Sequence, residues 1–515
     1  ILPDLLPKSS LPAANALVEG ATFMAILLGT IIGGLAARGG GDPASSAGLM
    51  LVFALLCWGS SLLIPKVGSG APDLVISKNI ASSTVELIGH LRSDRKLWWG
   101  GLVTSWFWLV GAVVLALMPS LVKNLLGGSE EVVTVYLAIF SIAVAVGSGL
   151  AAWLSAGRIV LLPTLVGAIG IALFALDLGW ATYGLPLHTT QSGIQETVFS
   201  ALGIRVAVDL AGLAVCGGLY IVPTFAAVQA WAGADHRARV IAAVNVLNAA
   251  FMVGGTLLIA VLQDKHVLQL TNPTICLIVG AATAIVAVLI GKTMPSNPMM
   301  DFLSILFRAI YRVELKGVDN LLHAGPNPII ALNHTSFLDA AMAMSILPKD
   351  PVFAIDSEMA KKWWVKPFLR FTRALPIDPT KPMATRTLIN AVKGGDPLII
   401  FPEGRLTVTG SLMKVYDGTA MIVDKADAVV VPVRIEGAQR SHLSYLKNGE
   451  IKRSWFPKVT ISILPPVKLP VDQALRGKAR RNAAGAALQD VMIDAMVQNA
   501  MLDQTLFEGL GHAYR

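Results

Sequence analysis

The sequence predicts an all-α membrane part of eight transmembrane helices followed by an α/β domain, and three observations lead to this fold class. Of the 515 residues, 54% are apolar and only 14% are charged, whereas soluble domains carry about 25% charged residues. Apolar runs of roughly 20 residues, long enough to cross a bilayer, recur up to about residue 295. After Met294 the pattern changes to short β-branched strands that alternate with helical stretches.

The eight apolar runs define the predicted spans. In chain order they cover residues 17–37, 47–64, 99–121, 132–154, 158–179, 204–226, 238–262 and 273–292. Small residues recur inside them, which predicts close packing of neighbouring helices. These positions are Gly29, Gly33, Gly147, Gly149, Gly167 and Gly170.

Basic residues in the connections orient the spans, because Lys and Arg accumulate on the cytoplasmic side. Two connections are rich in them and are predicted to be cytoplasmic, whereas residues 180–203 contain none. With eight alternating spans, both Ile1 and the C-terminal domain then lie in the cytoplasm. The basic residues are Lys66, Lys78, Arg92, Arg95 and Lys96 in the first connection, and Arg237 and Arg239 in the second.

Polar side chains within or beside the spans are candidates for a transport pathway, because such groups are costly in hydrocarbon and usually face a cavity. Two alternatives stay open. Arg205 and Asp209 are four residues apart on one helix and can neutralise each other, and Glu19 and Arg205 are near span ends, where an interfacial position suits them equally. The candidates are Asn15, Glu19, Arg205, Asp209, Asn245 and Asn248.

The membrane part resembles the second part of a major facilitator superfamily transporter. The run ANALVEGATFMAILLGTIIGGLA resembles the fifth helix of the bacterial lysophospholipid transporters in that superfamily, and GGLYIVPTFAAVQ resembles their tenth. The resemblance implies that the first four helices are missing, so the chain, which opens with Ile1, is expected to be a piece of a longer protein. Eight helices do not form the pseudo-symmetric cavity that alternating access requires.

Charge separates the two parts of the chain. Residues 1–300 hold 14 Lys/Arg against 13 Asp/Glu, whereas residues 301–515 hold 27 against 20. A basic domain on a membrane suggests anionic headgroups, acidic carrier proteins or phosphates as partners. Nucleic acid is not expected, because the basic residues form no stripe with interleaved aromatics. The 3 cysteines all lie in apolar runs, so neither a disulfide framework nor a metal site is expected.

The predicted domains are a transporter-like part over 1–295, an amphipathic interfacial connector over 296–312 and an α/β domain over 313–515. The strand and helix predictions follow from β-branched runs and helical periodicity. Strands are expected at 328–332, 397–401, 429–435 and 459–464, and helices at 338–346, 383–394 and 479–499.

The first predicted strand runs directly into Asn-His334-Thr-Ser336-Phe-Leu-Asp339. A histidine at a strand end with a carboxylate five residues later can act as a general base, since the carboxylate fixes the imidazole tautomer. His334 and Asp339 are therefore the predicted catalytic pair, and Ser336 is interpreted as a turn residue. The His-x4-Asp spacing alone is a weak signal, because a short motif also arises by chance.

A second motif, Phe-Pro-Glu403-Gly404-Arg405, follows the next predicted strand. Gly404 lets the backbone approach a ligand closely, and the Arg405 guanidinium offers a planar fork to a phosphate. Glu403 is predicted to orient that fork or a polar group of the ligand. Arg405 alone would be interpreted as a surface ion-pair residue, but the two motifs together favour phosphate binding.

Together with Val-Val-Pro-Val-Arg-Ile-Glu-Gly at 430–437, these motifs resemble three of the four blocks of the glycerolipid acyltransferase family. The resemblance covers about residues 310–470 and implies a cytoplasmic glycerolipid acyltransferase domain. The family's second block is altered here to Leu-Pro-Ile-Asp-Pro-Thr-Lys381. Arg373 and Lys381 are therefore predicted as possible substitutes for that block's phosphate-binding arginine.

FPEGRLTVTGSLMKVYDG and LPIDPTKPMA resemble one branch, the bacterial 2-acylglycerophosphoethanolamine acyltransferase/acyl-carrier-protein synthetases. The resemblance implies transport of a lysophospholipid, with lysophosphatidylethanolamine as the expected species, across the bacterial inner membrane and its reacylation from acyl-carrier protein. It implies no cofactor in these residues, because ATP and Mg would belong to an adenylating domain whose ATP loop this sequence lacks. Two alternatives stay open: 1-acylglycerol-3-phosphate acylation with the helices as an anchor, and a transporter with a regulatory C-terminal domain.

The segment from Lys361 to Arg370 contains Trp363 and Trp364 among four Lys/Arg residues. Trp prefers the headgroup zone and basic residues favour anionic lipid, so the segment is predicted to contact the membrane. The alternative is an ordinary helix whose aromatic residues enter the domain core.

Overall fold

The structure is a computed structural model that describes residues 2–6, 10–37, 43–64, 79–155, 159–233, 236–325, 327–346, 351–363, 365–370, 372–377, 382–446 and 452–502. The chain divides into two compact units, Ile1–Ser296 and Asn297–Arg515. The first is entirely helical among its described residues, and the second contains a single sheet covered by helices.

The first unit consists mainly of long apolar helices. The helices are α1 (Leu2–Leu5), α2 (Leu11–Ala37), α3 (Pro43–Ser61), α4 (Ile80–Ser93), α5 (Arg95–Ser120, extended by a π-helical turn Leu121–Leu125), α6 (Glu130–Leu154), α7 (Leu162–Thr182), α8 (Ile194–Val198), α9 (Ala201–Trp231), α10 (Arg237–Gln263) and α11 (Asn272–Thr293).

Seven of these described helices are long and apolar enough to cross a membrane. They correspond to seven of the eight predicted spans, although several begin well before the predicted residue because apolar composition does not mark a helix start. The remaining prediction, 47–64, falls on α3, whose apolar stretch Ala47–Ser61 is shorter than the others. The membrane all-α class is confirmed, with seven full-length spans and one shorter apolar helix.

The two basic connections lie on the same side of the helical unit. Helix α4 lies in the first connection, and its Glu86 accepts a hydrogen bond of 2.6 Å from Arg239 at the start of α10. The Arg239 guanidinium lowers the pKa of Glu86, first through this hydrogen bond and then through its charge. His90 of α4 also stacks on His236, with ring centroids 5.6 Å apart. This arrangement agrees with a common side for both connections, as their Lys and Arg content predicts.

Close packing of α6 against α9 depends on glycine. A Cβ atom at Gly147 would lie 2.1 Å from the Val215 carbonyl oxygen, and one at Gly167 of α7 would lie 2.6 Å from the Cys216 carbonyl oxygen. By contrast, Gly29, Gly33 and Gly149 have no described atom within 4 Å of such a Cβ. The predicted role in helix packing therefore applies to only part of the small-residue positions.

The second unit contains a seven-stranded sheet in the order β1-β7-β6-β2-β5-β3-β4. All neighbouring strands are parallel except β6 and β7. The elements are α12 (Pro298–Tyr311), β1 (Glu314–Lys316), α13 (Asp319–Leu322), β2 (Pro328–Leu332), α14 (Asp339–Ile346), β3 (Val352–Asp356), α15 (Ser357–Ala360), α16 (Lys366–Arg370), β4 (Arg373–Ile377), α17 (Pro382–Lys393), β5 (Leu398–Ile400), α18 (Asp417–Ala426), β6 (Val429–Glu436), β7 (Thr460–Ile463) and α19 (Gly477–Leu502).

Central strand β2 is buried on both faces, which explains its uninterrupted apolar sequence. Ile330 and Leu332 point into a core that includes residues of α12 and α14. Ile329 and Ala331 point to the opposite face, where residues of α17, α18 and α19 form a second core. The sheet is therefore covered by helices on both sides, and its strand ends remain available for a site.

The predicted α/β class is confirmed, and each predicted strand and helix of this unit has a counterpart. Strands β1, β3 and β4 were not predicted. Helix α12 matches the amphipathic stretch 299–312, and it buries Met300 and Phe307 in the core of the α/β unit while Phe302 stays exposed. The apolar face of the connector thus packs largely against its own domain.

Trp363 is 83% exposed, so the interpretation that places this indole in the core is wrong. Val365 is buried. Trp364 lies outside the described residues. Contact of the segment with a membrane stays a prediction.

Exchanging Gly147 for alanine is expected to loosen the contact between α6 and α9. The added Cβ meets the backbone of Val215, and overpacking costs about 1–3 kcal/mol, or roughly 3–10 °C in melting temperature. Gly149→Ala is the matched control, because it gains the same helix propensity without a clash. The melting temperatures of both variants are measured by heating the full chain in detergent and following its aggregation by size-exclusion chromatography. Equal melting temperatures for the two variants would contradict the assignment.

Candidate functional site

The candidate site lies at the edge of the sheet where the parallel strands end. Strand β2 pairs in parallel with both β5 and β6, so the loops that follow these three strands are neighbours. Ligands of open α/β sheets bind at this carboxyl edge. The loops carry the His334 motif, the Glu403 motif and a long connection after Glu436.

Asn333 fixes the first loop as it leaves the sheet. Its side-chain nitrogen donates to the Ile435 carbonyl at 2.9 Å, and its side-chain oxygen accepts from the Ile435 N–H at 2.7 Å. The buried amide thus extends the pairing of β2 with β6 by one rung beyond Leu332. This places the next residue, His334, directly at the sheet edge.

His334 and Asp339 form a hydrogen-bonded pair. Nδ1 of His334 lies 3.2 Å from Oδ2 of Asp339, whose side chain is fully buried at the start of α14. The same oxygen accepts the backbone N–H groups of Thr335 and Ser336. The His334 ring stacks on Phe401 with centroids 4.0 Å apart, and 19% of its side chain is exposed. The described residues make no hydrogen bond to its Nε2.

Glu403 joins the first two loops through a buried carboxylate. One oxygen accepts the N–H of His334 at 2.9 Å, and the other accepts the N–H of Met413 at 2.8 Å. Burial raises the pKa of Glu403 because desolvation opposes ionisation, while these backbone donors act in the opposite direction. Both oxygens accept hydrogen bonds from backbone N–H groups, so Glu403 stabilises the conformation of the loops.

Arg405 is exposed, and its guanidinium makes no ion pair or hydrogen bond within the described part of the chain. Gly404 before it has a φ of 62°, and a Cβ there would lie 3.1 Å from the Tyr416 ring. The surrounding loop is attached to His334 on both sides of Arg405: Glu403 binds the His334 N–H, and the Thr407 N–H donates to the His334 carbonyl at 2.8 Å. A free guanidinium is thereby held on the loop that borders the histidine.

Arg373 lies at the other edge of the sheet. It is the first residue of β4 and pairs in register with Val352, the first residue of β3, so both mark the amino ends of parallel strands. Its guanidinium donates to both oxygens of Asp396 at 2.6 and 2.8 Å. The structure therefore does not bring Arg373 to His334, contrary to its predicted role in phosphate binding. Lys381, the other predicted substitute, lies outside the described residues.

Several residues that shape the site were not predicted from the sequence. Phe401, which stacks on His334, belongs to the quoted FPEGR motif, so its position was a usable signal. Asn333 and Thr407 act through hydrogen bonds to distant backbone groups, which no local pattern indicates.

The polar candidates of the first unit fall into separate places. Asn15 of α2 exchanges two side-chain hydrogen bonds with Gln229 of α9, at 2.9 and 3.1 Å. Asn248 of α10 accepts one from Ser105 of α5 at 2.9 Å. Glu19 is buried and its Oε2 has no partner among the described residues, whereas Asn245 is exposed.

Arg205 pairs with Asp177 of α7 and not with Asp209. Its Nε and Nη2 donate to the two Asp177 oxygens at 3.0 and 2.6 Å. Asp209 is 3% exposed, and its Oδ2 has no hydrogen-bond partner in the described part of the chain. All three line an otherwise apolar groove of about 790 Å³ beside Phe174 and Trp180. The prediction that Asp209 neutralises Arg205 is therefore wrong, because the partner is Asp177, which was not predicted from the sequence.

The described residues contain no group of three or more His, Cys, Asp or Glu side chains placed to hold a metal ion. The arrangement around His334 has the parts of a general base: an imidazole oriented through Nδ1, a partly accessible second nitrogen and a cationic side chain on the adjoining loop.

Comparisons with known proteins give the following matches. Residues 312–436 match the family model described as Acyltransferase. The lysophospholipid transporter LplT of Escherichia coli O1:K1 / APEC is 32% identical over 163 residues, which are 30% of this chain and 38% of the transporter. LplT of Escherichia coli O45:K1 (strain S88 / ExPEC) matches to the same extent. The chain thus spans well under half of these relatives' length.

Solved structures also match part of the chain. The crystal structure of the 1-acyl-sn-glycerophosphate (LPA) acyltransferase PlsC from Thermotoga maritima has 18% sequence identity and a TM-score of 0.30. The match covers 48% of this chain and 93% of that protein.

The matched region 312–436 contains β2 and β5 and both motifs around His334. The apolar helical region before it is the part related to the transporters. The chain therefore combines a region similar to LplT lysophospholipid transporters with a region, 312–436, that matches the Acyltransferase family model.

Proposed function

We propose that this chain takes part in the transport of a lysophospholipid, with lysophosphatidylethanolamine as the expected species, across the bacterial inner membrane and reacylates it to a diacyl phospholipid. The observation that carries the enzymatic part is the His334 imidazole, oriented by buried Asp339. The homology of the helical unit to lysophospholipid transporters supports the transport part. Acylation of 1-acylglycerol-3-phosphate is the alternative reaction at the same site.

In the proposed reaction, Nε2 of His334 accepts the proton of the free glycerol hydroxyl. The hydroxyl oxygen attacks the thioester carbonyl carbon and forms a tetrahedral intermediate. Its collapse forms the ester, breaks the carbon–sulfur bond and releases the thiol, which takes the proton from the imidazolium. Asp339 holds the proton on Nδ1 and stabilises the imidazolium that forms.

Arg405 is the proposed phosphate ligand. The guanidinium has no partner among the described residues, so its fork is available for two hydrogen bonds to phosphate oxygens. Gly404 supports this loop conformation, because its φ of 62° is left-handed and a residue with a side chain would be strained there. Glu403 is a positioning residue in this proposal, because it acts through the His334 and Met413 backbone.

The proposed acyl donor is the thioester of acyl-carrier protein. This partner is acidic, whereas residues 301–515 are basic, with 27 Lys/Arg and 20 Asp/Glu. An acyl thioester is already activated, so the proposed step needs no ATP. The proposed orientation places the acyltransferase domain in the cytoplasm. The shared side of the two basic connections supports that orientation.

The charged groups proposed for the transport pathway are Asp177, Arg205 and Asp209. They line one groove in the helical unit, and ionisable groups at membrane depth commonly mark a substrate route. Asn15, Glu19, Asn245 and Asn248 stay candidates.

His334→Ala is expected to lower acyl transfer by about 10²–10⁴-fold, because the general base is lost. Purified full-length protein is supplied with acyl-carrier-protein thioester and a panel of lysophospholipids, and the products are identified by mass spectrometry. His266→Ala, which removes an exposed histidine of the first unit, is the control. Near-normal turnover by the folded His334 variant would contradict the assignment. A wild-type protein that acylates only 1-acylglycerol-3-phosphate would select the alternative reaction.

Arg405→Lys retains the charge but removes the planar fork, so the KM for the lysolipid is expected to rise about tenfold, with a smaller effect on the KM for the acyl donor. Initial rates over both substrate concentrations measure the two constants. Arg476→Lys, at another exposed arginine, serves as the matched control. An unchanged lysolipid KM would remove Arg405 from the phosphate site.

Asp209→Asn is expected to reduce lysolipid movement across proteoliposome membranes about tenfold, because it removes a buried carboxylate from the groove. Acyl transfer measured in detergent is expected to stay unchanged, since His334 belongs to the other unit. Glu196→Gln, at an exposed carboxylate outside the spans, is the control. Unchanged transport by the Asp209 variant would exclude this carboxylate from the pathway.

A further inference from the structure

The connection between β6 and β7, residues 437–459, is far longer than its topology requires. The two strands are antiparallel neighbours, paired from Glu436 with Thr460 onward, and about 2–5 residues suffice to join such a pair. Loops of this length inside a compact domain are usually functional. This connection begins at the carboxyl end of β6, the sheet edge that also carries His334.

The connection is fastened directly to the His334 loop. The Phe337 N–H donates to the Leu443 carbonyl at 3.1 Å, and the Ser444 hydroxyl donates to the Thr335 carbonyl at 2.9 Å. The hydroxyls of Ser336 and Ser441 lie 3.0 Å apart and share a hydrogen bond. Displacement of this connection would therefore also disturb the loop that carries the imidazole.

Large apolar side chains of the connection project into solvent. Leu443 is 47%, Tyr445 54%, Trp455 69% and Phe456 63% exposed. Trp455 packs on the His442 ring with centroids 4.4 Å apart, and Tyr445 packs edge-on against Phe337 at 5.2 Å. These ring contacts hold the aromatic groups in place while leaving them uncovered, and exposed apolar groups concentrated in this way indicate an interaction site.

The connection is also strongly basic. It contains five Lys/Arg residues and one acidic residue, Glu450. The basic residues are Arg440, Lys447, Lys452, Arg453 and Lys458. Lys458 pairs with Glu314 at 2.8 Å. Near an anionic bilayer each basic residue without such a partner contributes on the order of 1 kcal/mol, and Trp and Tyr favour the headgroup region.

We propose that the described parts of this connection, residues 437–446 and 452–459, form a docking surface for anionic lipid, which holds the His334 edge of the sheet against the bilayer. This goes beyond the proposed reaction, because it names the face that meets the membrane. The purpose assigned to the docking, direct entry of a lipid acceptor from the bilayer, rests on the proposed function.

Two features favour a lipid surface over an acidic protein partner. Basic residues alone suit either partner, but four exposed apolar side chains gain more from contact with the acyl boundary than from a charged protein surface. In addition, seven helices among the described residues are suited to crossing a membrane, so a bilayer is always within reach of this domain.

Lipid contact is measured directly in the full chain reconstituted into anionic liposomes. The cysteines Cys57, Cys216 and Cys276 are replaced by alanine, and an environment-sensitive fluorophore is attached through Leu443→Cys. Ile493→Cys on α19 is the matched control, because its native side chain is 44% exposed against 47% for Leu443. Lipids with a nitroxide close to the headgroup are expected to quench the probe at 443 at least twice as strongly as that at 493. Aqueous iodide is expected to show the reverse order.

Replacing anionic lipid by neutral lipid is expected to weaken the quenching at 443. Stronger iodide than nitroxide quenching at 443 would overturn the proposal, since the surface would then face water. Insensitivity to both quenchers would also overturn it, because another protein surface would then cover the connection. This measurement requires no enzymatic activity, so it stands or fails separately from the proposed reaction.

A kinetic comparison tests the consequence for the substrate. For Trp455→Ser/Phe456→Ser, the ratio of the rate with bilayer-embedded long-chain lysolipid to that with monomeric short-chain lysolipid is expected to fall about tenfold. Ile493→Ser is expected to leave this ratio unchanged. A specific rise in the KM for acyl-carrier-protein thioester, with an unchanged ratio, would overturn the proposal in favour of a carrier-protein surface.

Discussion

The site depends on the buried carboxylate of Glu403. Parallel pairing of β2 with β5 makes the two following loops neighbours, but strand pairing ends before either loop begins. Glu403 connects them beyond the sheet by accepting the N–H groups of His334 and Met413. Burial of a carboxylate is unfavourable unless strong donors satisfy it. This interaction therefore contributes a defined loop geometry more than it contributes stability.

His334 consequently receives its position from several independent connections. Asn333 fixes the backbone before it to β6, Asp339 orients the ring, and Thr407 binds its carbonyl. The connection after β6 closes the other side of the same loop through Leu443 and Ser444. The general-base role proposed for His334 requires its reactive nitrogen to be held within a narrow range of positions. The hydrogen bonds converge on the backbone around the imidazole and leave Nε2 available.

The sequence was sufficient to predict the two fold classes and the motifs at the strand ends, because buried strands and membrane spans are both continuous apolar runs. It did not reveal β4, whose Pro376 breaks the usual strand pattern at the edge of the sheet. Short β1 combines two charged residues with one leucine and gives no apolar run. The role predicted for Arg373 failed for a related reason: without β4 its sheet edge was unknown. The predicted partner of Arg205 was wrong because helical spacing indicated Asp209, whereas the actual partner, Asp177, lies on another helix.

The helical unit carries more than attachment of an enzyme requires. One span of about 20 apolar residues anchors a domain, whereas the part of the chain that the structure describes contains seven helices suited to spanning a membrane. Polar pairs such as Asn15 with Gln229 and Ser105 with Asn248 are buried between these helices. Apolar packing alone would be sufficient to hold the helices together. Buried polar contacts of this kind specify which helices pair and in which register. The bundle therefore has defined helix partners and a groove lined by Asp177, Arg205 and Asp209, neither of which a simple anchor requires.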